Sequence, residues 1–188
     1  MQKRSEQTRQ ALIRATAELI ADGQLSDAGL VNICRAAGVS RGALYHHFPS
    51  TASLAAAVYE QAHDRVVTLT DDAFEGSSAD ALERFLVTLG EALRTEEIVR
   101  AGMRLAVDGS AGPPQLRHDL LTMVHQRVSD ACQEIVPPAQ DLADLAVVVA
   151  AGLESLGRTG TEWWGSGTAH RLWGLLRPLY QQDGPERN

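Results

Sequence analysis

The chain has 188 residues, of which 44% are hydrophobic and 22% are charged, and its formal net charge is −7. This composition is ordinary for a globular protein that buries one sizeable core or two small ones. No apolar run reaches the roughly 18 residues of a membrane span, and the first residues lack a signal-peptide pattern. We therefore expect a cytoplasmic protein without a membrane partner. Cys34 and Cys132 fall on predicted helices, which favours buried, reduced thiols over a disulfide framework.

Helical periodicity dominates the sequence in chain order, and no convincing alternating strand pattern is present. The predicted fold class is therefore all-α, with about nine helices. The predicted helices cover residues 5–21, 30–36, 41–46, 51–76, 79–94, 96–107, 115–135, 141–157 and 168–180. Two apolar stripes are expected to be buried, on the first and fourth helices: Leu12, Ile13, Ala17, Ile20, Leu54, Val58, Ala62, Val66 and Leu69.

The second and third predicted helices are joined by a turn of only a few residues. Gly38 can adopt the left-handed conformation that ends a helix, and Ser40 can cap the helix that follows. Two short helices joined in this way form a helix-turn-helix. The third helix presents donors and rings suited to phosphates and base edges: Arg41, Tyr45, His46 and His47. This pattern indicates that the segment binds DNA.

The net charge is unevenly distributed along the chain. Residues 1–50 carry six Lys or Arg against four Asp or Glu, a balance of +2, whereas residues 51–188 carry eleven against twenty, a balance of −9. Because DNA affinity depends largely on local neutralisation of phosphates, an acidic chain with a basic N-terminal part is compatible with DNA binding. Ordinary fluctuation of surface charge is the alternative explanation.

The string AGVSRGALYHHF, from Ala37 to Phe48, is the most specific motif of the chain. Together with the flanking residues 8–54, it resembles the DNA-binding domain of the tetracycline-repressor (TetR) family of transcription regulators. The all-helical remainder agrees with this family in length and layout. The resemblance implies a helix-turn-helix DNA-binding domain at residues 1–50. It also implies a domain at residues 51–188 that binds a small molecule and dimerises, with ligand binding releasing the operator.

Three positions depart from the family pattern. Gly29 stands where Thr usually caps the second helix, a change expected to cost a few tenths of a kcal/mol, and Cys34 stands where Ala is usual. Thr51 replaces a lysine that normally contacts a phosphate near the start of the fourth helix, so we expect weaker DNA binding from this substitution alone. Residues 100–108, with a late tryptophan-bearing segment, are similar to the γ-butyrolactone-receptor branch, whose members sense lactone or furan signals that control antibiotic biosynthesis.

The residues expected to contact DNA lie on the first helix, the third helix and the start of the fourth. Arg41 can form a bidentate pair with guanine O6 and N7, or contact a phosphate without sequence choice. Tyr45 and His46 are suited to phosphates, whereas His47 either joins them or covers the domain core. The two histidines do not indicate a metal site, because neighbouring helical positions point apart. The predicted set is Lys3, Thr8, Arg9, Ser40, Arg41, Gly42, Ala43, Tyr45, His46, His47 and Thr51.

A single short helix reads only a few base pairs, so specific binding needs two copies on a near-palindromic double-stranded operator. The eighth and ninth helices carry apolar stripes that suit a four-helix bundle between two subunits, and Gly152 and Gly157 would permit close helix approach. The stripes consist of Leu145, Val149, Leu156, Leu172, Leu176 and Leu179. Part of each stripe belongs, alternatively, to the core of the subunit itself.

A ligand pocket in such a fold would be mainly apolar, with a few polar groups that orient the ligand. The candidates are Tyr59, Leu86, Leu89, Met103, Val107, Met123, Gln126, Trp163 and Trp164. Gln126 is the preferred polar group because it lies one turn from Met123. The expected inducer is correspondingly apolar with few polar groups. The alternative is that these residues are ordinary helix core, which is the commoner role of apolar stripes.

These observations predict a homodimeric repressor whose operator affinity falls when a small-molecule inducer binds. A ligand-independent regulator of the same fold is the first alternative. A helical enzyme is a remote one, because the sequence has no nucleophile elbow, no paired metal ligands and no glycine-rich phosphate loop. No catalytic residue, metal or cofactor is therefore predicted.

Overall fold

The computed structural model describes residues 2–22, 29–75, 80–108, 115–131 and 138–180. All regular secondary structure in these ranges is helical, which confirms the predicted all-α class. The helices are α1 (Gln2–Ala21), α2 (Gly29–Ala37), α3 (Arg41–His47), α4 (Thr51–Phe74), α5 (Ala81–Thr95), α6 (Glu97–Asp108), α7 (Gln115–Ala131), α8 (Ala139–Gly157), the short 3₁₀ helix η1 (Thr161–Trp164) and α9 (Ser166–Tyr180). No helix among the described residues is long and apolar enough to cross a membrane.

The chain forms two compact units. The first unit comprises Met1–Arg65 and Glu96–Arg117, and the second comprises Val66–Thr95 and His118–Asn188. The first unit is therefore discontinuous in sequence and contains α6, although α5 belongs to the second unit. The sequence suggested a boundary at residue 50 between a DNA-binding domain and a domain that binds a ligand and dimerises. This functional boundary stays a prediction.

The core of the first unit is built from α1, α2, α3, the first part of α4, and α6. The α1 stripe is buried as predicted, and so are Leu54, Val58 and Ala62 of the α4 stripe, whose last two residues are buried too but belong to the second unit. Cys34 is buried in the same core, as expected for a small thiol. Less expected is the contribution of α6, which adds Ala101 and Leu105 to this cluster. Such apolar burial is the main force that keeps these short helices folded.

The second unit packs α5, α8, η1 and α9 together, with Trp164 of η1 buried among them. Two glycines make room for this tryptophan. A Cβ at Gly157 of α8 would lie 1.8 Å from the Trp164 Nε1, and a Cβ at Gly90 of α5 would lie 2.7 Å from the Trp164 carbonyl oxygen. Since both distances are far below van der Waals contact, α5 and α8 approach η1 this closely only because these positions lack side chains.

Candidate nucleic-acid interface

The turn between α2 and α3 has the geometry that its sequence predicts. Gly38 has φ +66°, the left-handed conformation in which a Cβ would be strained. Ser40 then caps α3, because its side-chain oxygen accepts a hydrogen bond from the backbone N–H of Ala43 at 3.2 Å. Both the left-handed glycine and the serine cap are therefore confirmed, and together they fix where α3 begins.

Helix α3 has one buried side and one exposed side. Leu44 is buried in the core, and so is Phe48, which follows the helix. Both belong to the core cluster of the first unit. The exposed side consists of two pairs spaced four residues apart, which share one helix face: Arg41 with Tyr45, and Gly42 with His46.

The middle of this exposed face is open. A Cβ at Gly42 would meet nothing closer than the Ser40 Oγ, at 3.8 Å. Ala43 and His47 are half-buried at the edges of the face, and the rings of His46 and His47 contact each other edge to face, with centroids 5.2 Å apart. The half-burial of His47 is compatible with both roles that the sequence allowed.

Residues of α1 predicted to contact DNA belong to the same unit as α3. Lys3 is exposed, whereas Thr8 is half-buried and donates its hydroxyl to the Arg4 carbonyl at 3.0 Å. The Arg9 guanidinium lies over the Phe48 ring, 5.4 Å from its centroid, which connects α1 to the end of the α3 segment. The sequence pattern did not predict this contact between a cation and an aromatic ring.

The start of α4 is capped by a reciprocal pair of serines. The Ser50 Oγ accepts from the Ser53 N–H, and the Ser53 Oγ accepts from the Ser50 N–H, both at 3.1 Å. Thr51 is exposed on the first turn that this pair holds. A Cβ at Gly29, the first residue of α2, would lie 3.8 Å from the Thr51 Cγ2. The N-termini of α2 and α4 are thus neighbours.

The chemistry around α3 favours an anionic partner. The sequence has no acidic residue between Asp27 and Glu60, whereas Arg35, Arg41 and two histidines lie in that stretch. Helices α2 and α3 and the start of α4 therefore carry no acidic side chain of their own that would repel a phosphate backbone. Local charge of this kind supplies much of the affinity of a protein for DNA. Among the described residues, no group of His, Cys, Asp or Glu could hold a metal ion.

Residues predicted for a ligand pocket are distributed over both units. Tyr59, half-buried, and Met103, buried, belong to the first unit. In the second unit Leu86, Leu89 and Trp164 are buried, Met123 is half-buried, and Trp163 is exposed. Gln126, the preferred polar group, is also exposed and donates its Nε2 to the Asp130 Oδ1 on its own helix at 3.0 Å. The side chain of Val107 lies outside the described residues.

Helices α8 and α9 each carry apolar side chains that the second unit leaves accessible. Val148 is 66% exposed and Leu175 is 78% exposed, and the sequence pattern missed both. They extend the predicted stripes, which are themselves half-buried or exposed. Gly152 faces open space, as expected. The expectation that Gly157 serves approach by a second subunit is wrong, because the indole of Trp164 in the same chain fills that space.

Residues 12–58 match the sequence profile of "Bacterial regulatory proteins, tetR family". These residues form a TetR-family DNA-binding domain. The chain is 29% identical over 170 residues to the HTH-type transcriptional regulator UidR of Escherichia coli. This alignment covers 82% of the chain and 86% of UidR. These comparisons agree with the geometry of α2 and α3, since both identify a DNA-binding helix-turn-helix.

Solved structures give the same assignment for the whole fold. A γ-butyrolactone receptor described as ArpA-like superposes with a TM-score of 0.76 at 26% identity, over 93% of this chain and 88% of that one. The TetR-family protein CprB of Streptomyces coelicolor, in complex with its biological operator sequence, superposes with a TM-score of 0.73 at 27% identity, with the same coverage of 93% and 88%. A chain with this TetR-family DNA-binding domain and these relatives is accordingly a DNA-binding transcriptional regulator, and its relatives are regulators rather than enzymes.

Proposed function

We propose that this TetR-family chain is a homodimeric repressor that binds a near-palindromic operator through α3 and is released by a small-molecule inducer. The observation that carries the proposal is the exposed face of α3, which stands on a buried Leu44 and Phe48 and lies in a stretch without acidic residues. A helix held rigidly at its cap and its core presents donors in a fixed geometry, which base reading in the major groove requires.

Each residue of the face has a chemical role in this proposal. Arg41, directly after the cap, forms a bidentate pair with a guanine. Tyr45 and His46 bind phosphates and set the register of α3 in the groove. Gly42 leaves room for the backbone to approach a base edge. The exposed N-terminus of α4 at Thr51 faces a flanking phosphate with its N–H groups.

The experiment is selection of bound duplexes from a random pool, followed by titration of the selected duplex with Arg41→Ala. We expect affinity to fall about 10- to 100-fold and base preference to relax at one position per half-site, because one bidentate pair is lost. Arg14→Ala is the matched control, since Arg14 is an exposed arginine of α1 outside the predicted set.

The selection has two informative contrary results. A uniform loss of affinity with unchanged base preference would assign Arg41 to a phosphate rather than to a guanine. An Arg41→Ala variant that binds the selected duplex as tightly as Arg14→Ala would contradict the proposed role of α3 as the reader.

The homodimer in this proposal uses the accessible apolar face of α8 and α9. Leu145, Val148, Val149, Gly152 and Leu156 recur at helical spacing on one side of α8. On α9 the same spacing relates Leu172, Leu175, Leu176 and Leu179. A second copy supplies an identical face, so two helices from each subunit form a four-helix bundle about a two-fold axis. This arrangement places two copies of α3 on the two halves of a palindrome.

The inducer in this proposal is a γ-butyrolactone- or furan-type signal, which the similarity to γ-butyrolactone receptors supports. Binding of the inducer favours a conformation in which the two copies of α3 no longer match the operator spacing. The test is release of the selected duplex by synthetic γ-butyrolactones and furans, with a thermal shift of the free protein as the second readout. If no compound of either class shifts the melting temperature or releases DNA, a ligand-independent regulator replaces the inducible one.

A further inference from the structure

Two charged residues meet where the chain leaves the first unit and where it returns. Arg65 is the last residue of the first segment of that unit, and Glu96 is the first residue of its second segment. Their side chains form two hydrogen bonds, from Nε to Oε2 at 2.8 Å and from Nη2 to Oε1 at 2.7 Å. The two side chains are 39% and 29% exposed. The pair thus joins the two residues that flank segment 66–95, which belongs to the second unit.

Glu96 also fixes the start of α6. Its carbonyl oxygen accepts hydrogen bonds from the backbone N–H groups of Val99 at 3.1 Å and Arg100 at 3.2 Å, which open the helix. Because the Glu96 side chain is bound by Arg65 of α4, the first turn of α6 is attached to α4. Parallel hydrogen bonds from a guanidinium to a carboxylate fix direction as well as distance.

The rest of α6 is attached to α1. The Arg104 Nη1 donates to the carbonyl of Ala21, the last residue of α1, at 3.0 Å. Ala101 and Leu105 complete the core that contains the buried face of α1. A third connection closes the arrangement, because the Gln61 Nε2 of α4 donates to the Gln10 Oε1 of α1 at 2.9 Å. Helices α1, α4 and α6 therefore form a closed set, and they contribute to the core in which Leu44 of α3 is buried, while α3 itself packs against α1 and α2.

We infer that Arg65 and Glu96 are positioning residues for the DNA-binding helix α3. Their ion pair holds α6 on α1 and α4, and thereby fixes the core that supports α3 before DNA binds. The part of this inference that concerns DNA affinity rests on the proposed function. When a binding-competent arrangement is only partly populated, the observed affinity falls by that fraction.

An exposed ion pair by itself commonly adds little to stability, so the control must be a pair of the same chemistry elsewhere. Glu91 and Arg94 of α5 provide it. They too form two hydrogen bonds, at 3.0 and 2.6 Å, but within a single helix turn. The hydrogen bond from Arg94 lowers the pKa of the Glu91 carboxyl. Glu91→Gln and Glu96→Gln therefore each remove a carboxylate charge that accepts two hydrogen bonds from one arginine, at sites five residues apart.

The experiment compares full-length wild type, Glu96→Gln, Glu91→Gln and the charge-reversed double variant Arg65→Glu/Glu96→Arg. Amide hydrogen exchange is measured without DNA, and affinity is measured for the duplex that wild type selects. For Glu96→Gln we expect about tenfold faster exchange in α6 and the end of α1, with about tenfold weaker DNA binding. The charge-reversed variant restores most of both, and Glu91→Gln stays within about twofold of wild type.

Each alternative result has a defined meaning. Unchanged exchange in α6 for Glu96→Gln overturns the proposal. Faster exchange with unchanged DNA affinity also overturns it, because the pair is then structural and does not position the reader. If wild type selects no duplex at all, the proposed function fails, and accelerated exchange then assigns the pair to the stability of α6 alone. Equal losses in Glu96→Gln and Glu91→Gln overturn the proposal too, as they show a general effect of charge.

Discussion

At the scale of single residues, Thr51 shows that the geometry of a binding site and its affinity for DNA can depend on different side chains. The serine pair caps α4 and keeps its first turn in place, so the site is formed without a lysine. What Thr51 lacks is a positive charge that could release a counterion from DNA. Geometry and affinity are thus set by different residues at this helix end.

Thr51→Lys should therefore strengthen operator binding. One added phosphate contact makes the slope of log affinity against log salt more negative by about 0.9, and we expect about five- to tenfold tighter binding at low salt. Titrations at several salt concentrations measure both quantities. Thr122→Lys, an exposed position on α7, adds the same charge elsewhere, and a steeper slope for that variant would show that total charge rather than position is responsible.

Gly157 is a residue at which a single methyl group should be destabilising. A Cβ there would lie within 2.2 Å of three indole atoms of Trp164, whose side chain is buried and cannot swing away freely. We expect Gly157→Ala to lower the free energy of unfolding by about 1–3 kcal/mol, as overpacked cores do. Urea denaturation followed by tryptophan fluorescence measures this change.

Gly174→Ala is the matched control for that substitution. Gly174 also lies within a helix, but a Cβ there would meet no atom within 4 Å. Because alanine favours the helix over glycine, this variant should be more stable than wild type by about 0.5–1 kcal/mol. Equal effects of the two substitutions would mean that helix propensity, and not the contact with Trp164, sets the cost at Gly157.

At the scale of secondary-structure elements, local signals predicted α2, the turn and α3, including the left-handed Gly38 and the Ser40 cap. Those features depend on neighbours within a few residues, and the sequence displays them directly. The partner of α6 could not be predicted in this way. Periodicity shows that α6 has an apolar face, but it does not show that Ala101 and Leu105 pack in the core of the reader.

The same limit explains which parts of the candidate site were found. The exposed face of α3 follows from helical spacing once Leu44 and Phe48 are assigned to the core. The Arg9–Phe48 contact and the Arg65–Glu96 pair join residues distant in sequence, at 5.4 Å and 2.7 Å, and nothing local distinguishes these arginines from others. Val148 and Leu175 were missed because stripe assignment favoured the leucines already in register.

At the scale of the whole molecule, the distribution of charge and of apolar surface separates two tasks. The acid-free stretch belongs to the first unit, whereas the accessible apolar face of α8 and α9 belongs to the second. An acidic remainder limits non-specific attachment to nucleic acid away from α3. A monomer that exposes Val148 and Leu175 to this extent would be prone to association, so the proposed dimer also removes a liability.

Leu175→Glu tests this division of tasks. A carboxylate at a position that is 78% exposed in one chain costs the folded subunit little, but in the proposed bundle it would be buried without a partner. We therefore expect wild type to sediment as a dimer and Leu175→Glu as a monomer with unchanged helix content. Operator affinity should fall about 100-fold or more, because one copy of α3 reads only half of the palindrome. Thr122→Glu places the same charge on α7 and should leave both properties unchanged. A dimeric Leu175→Glu variant would show that the subunits associate through another surface.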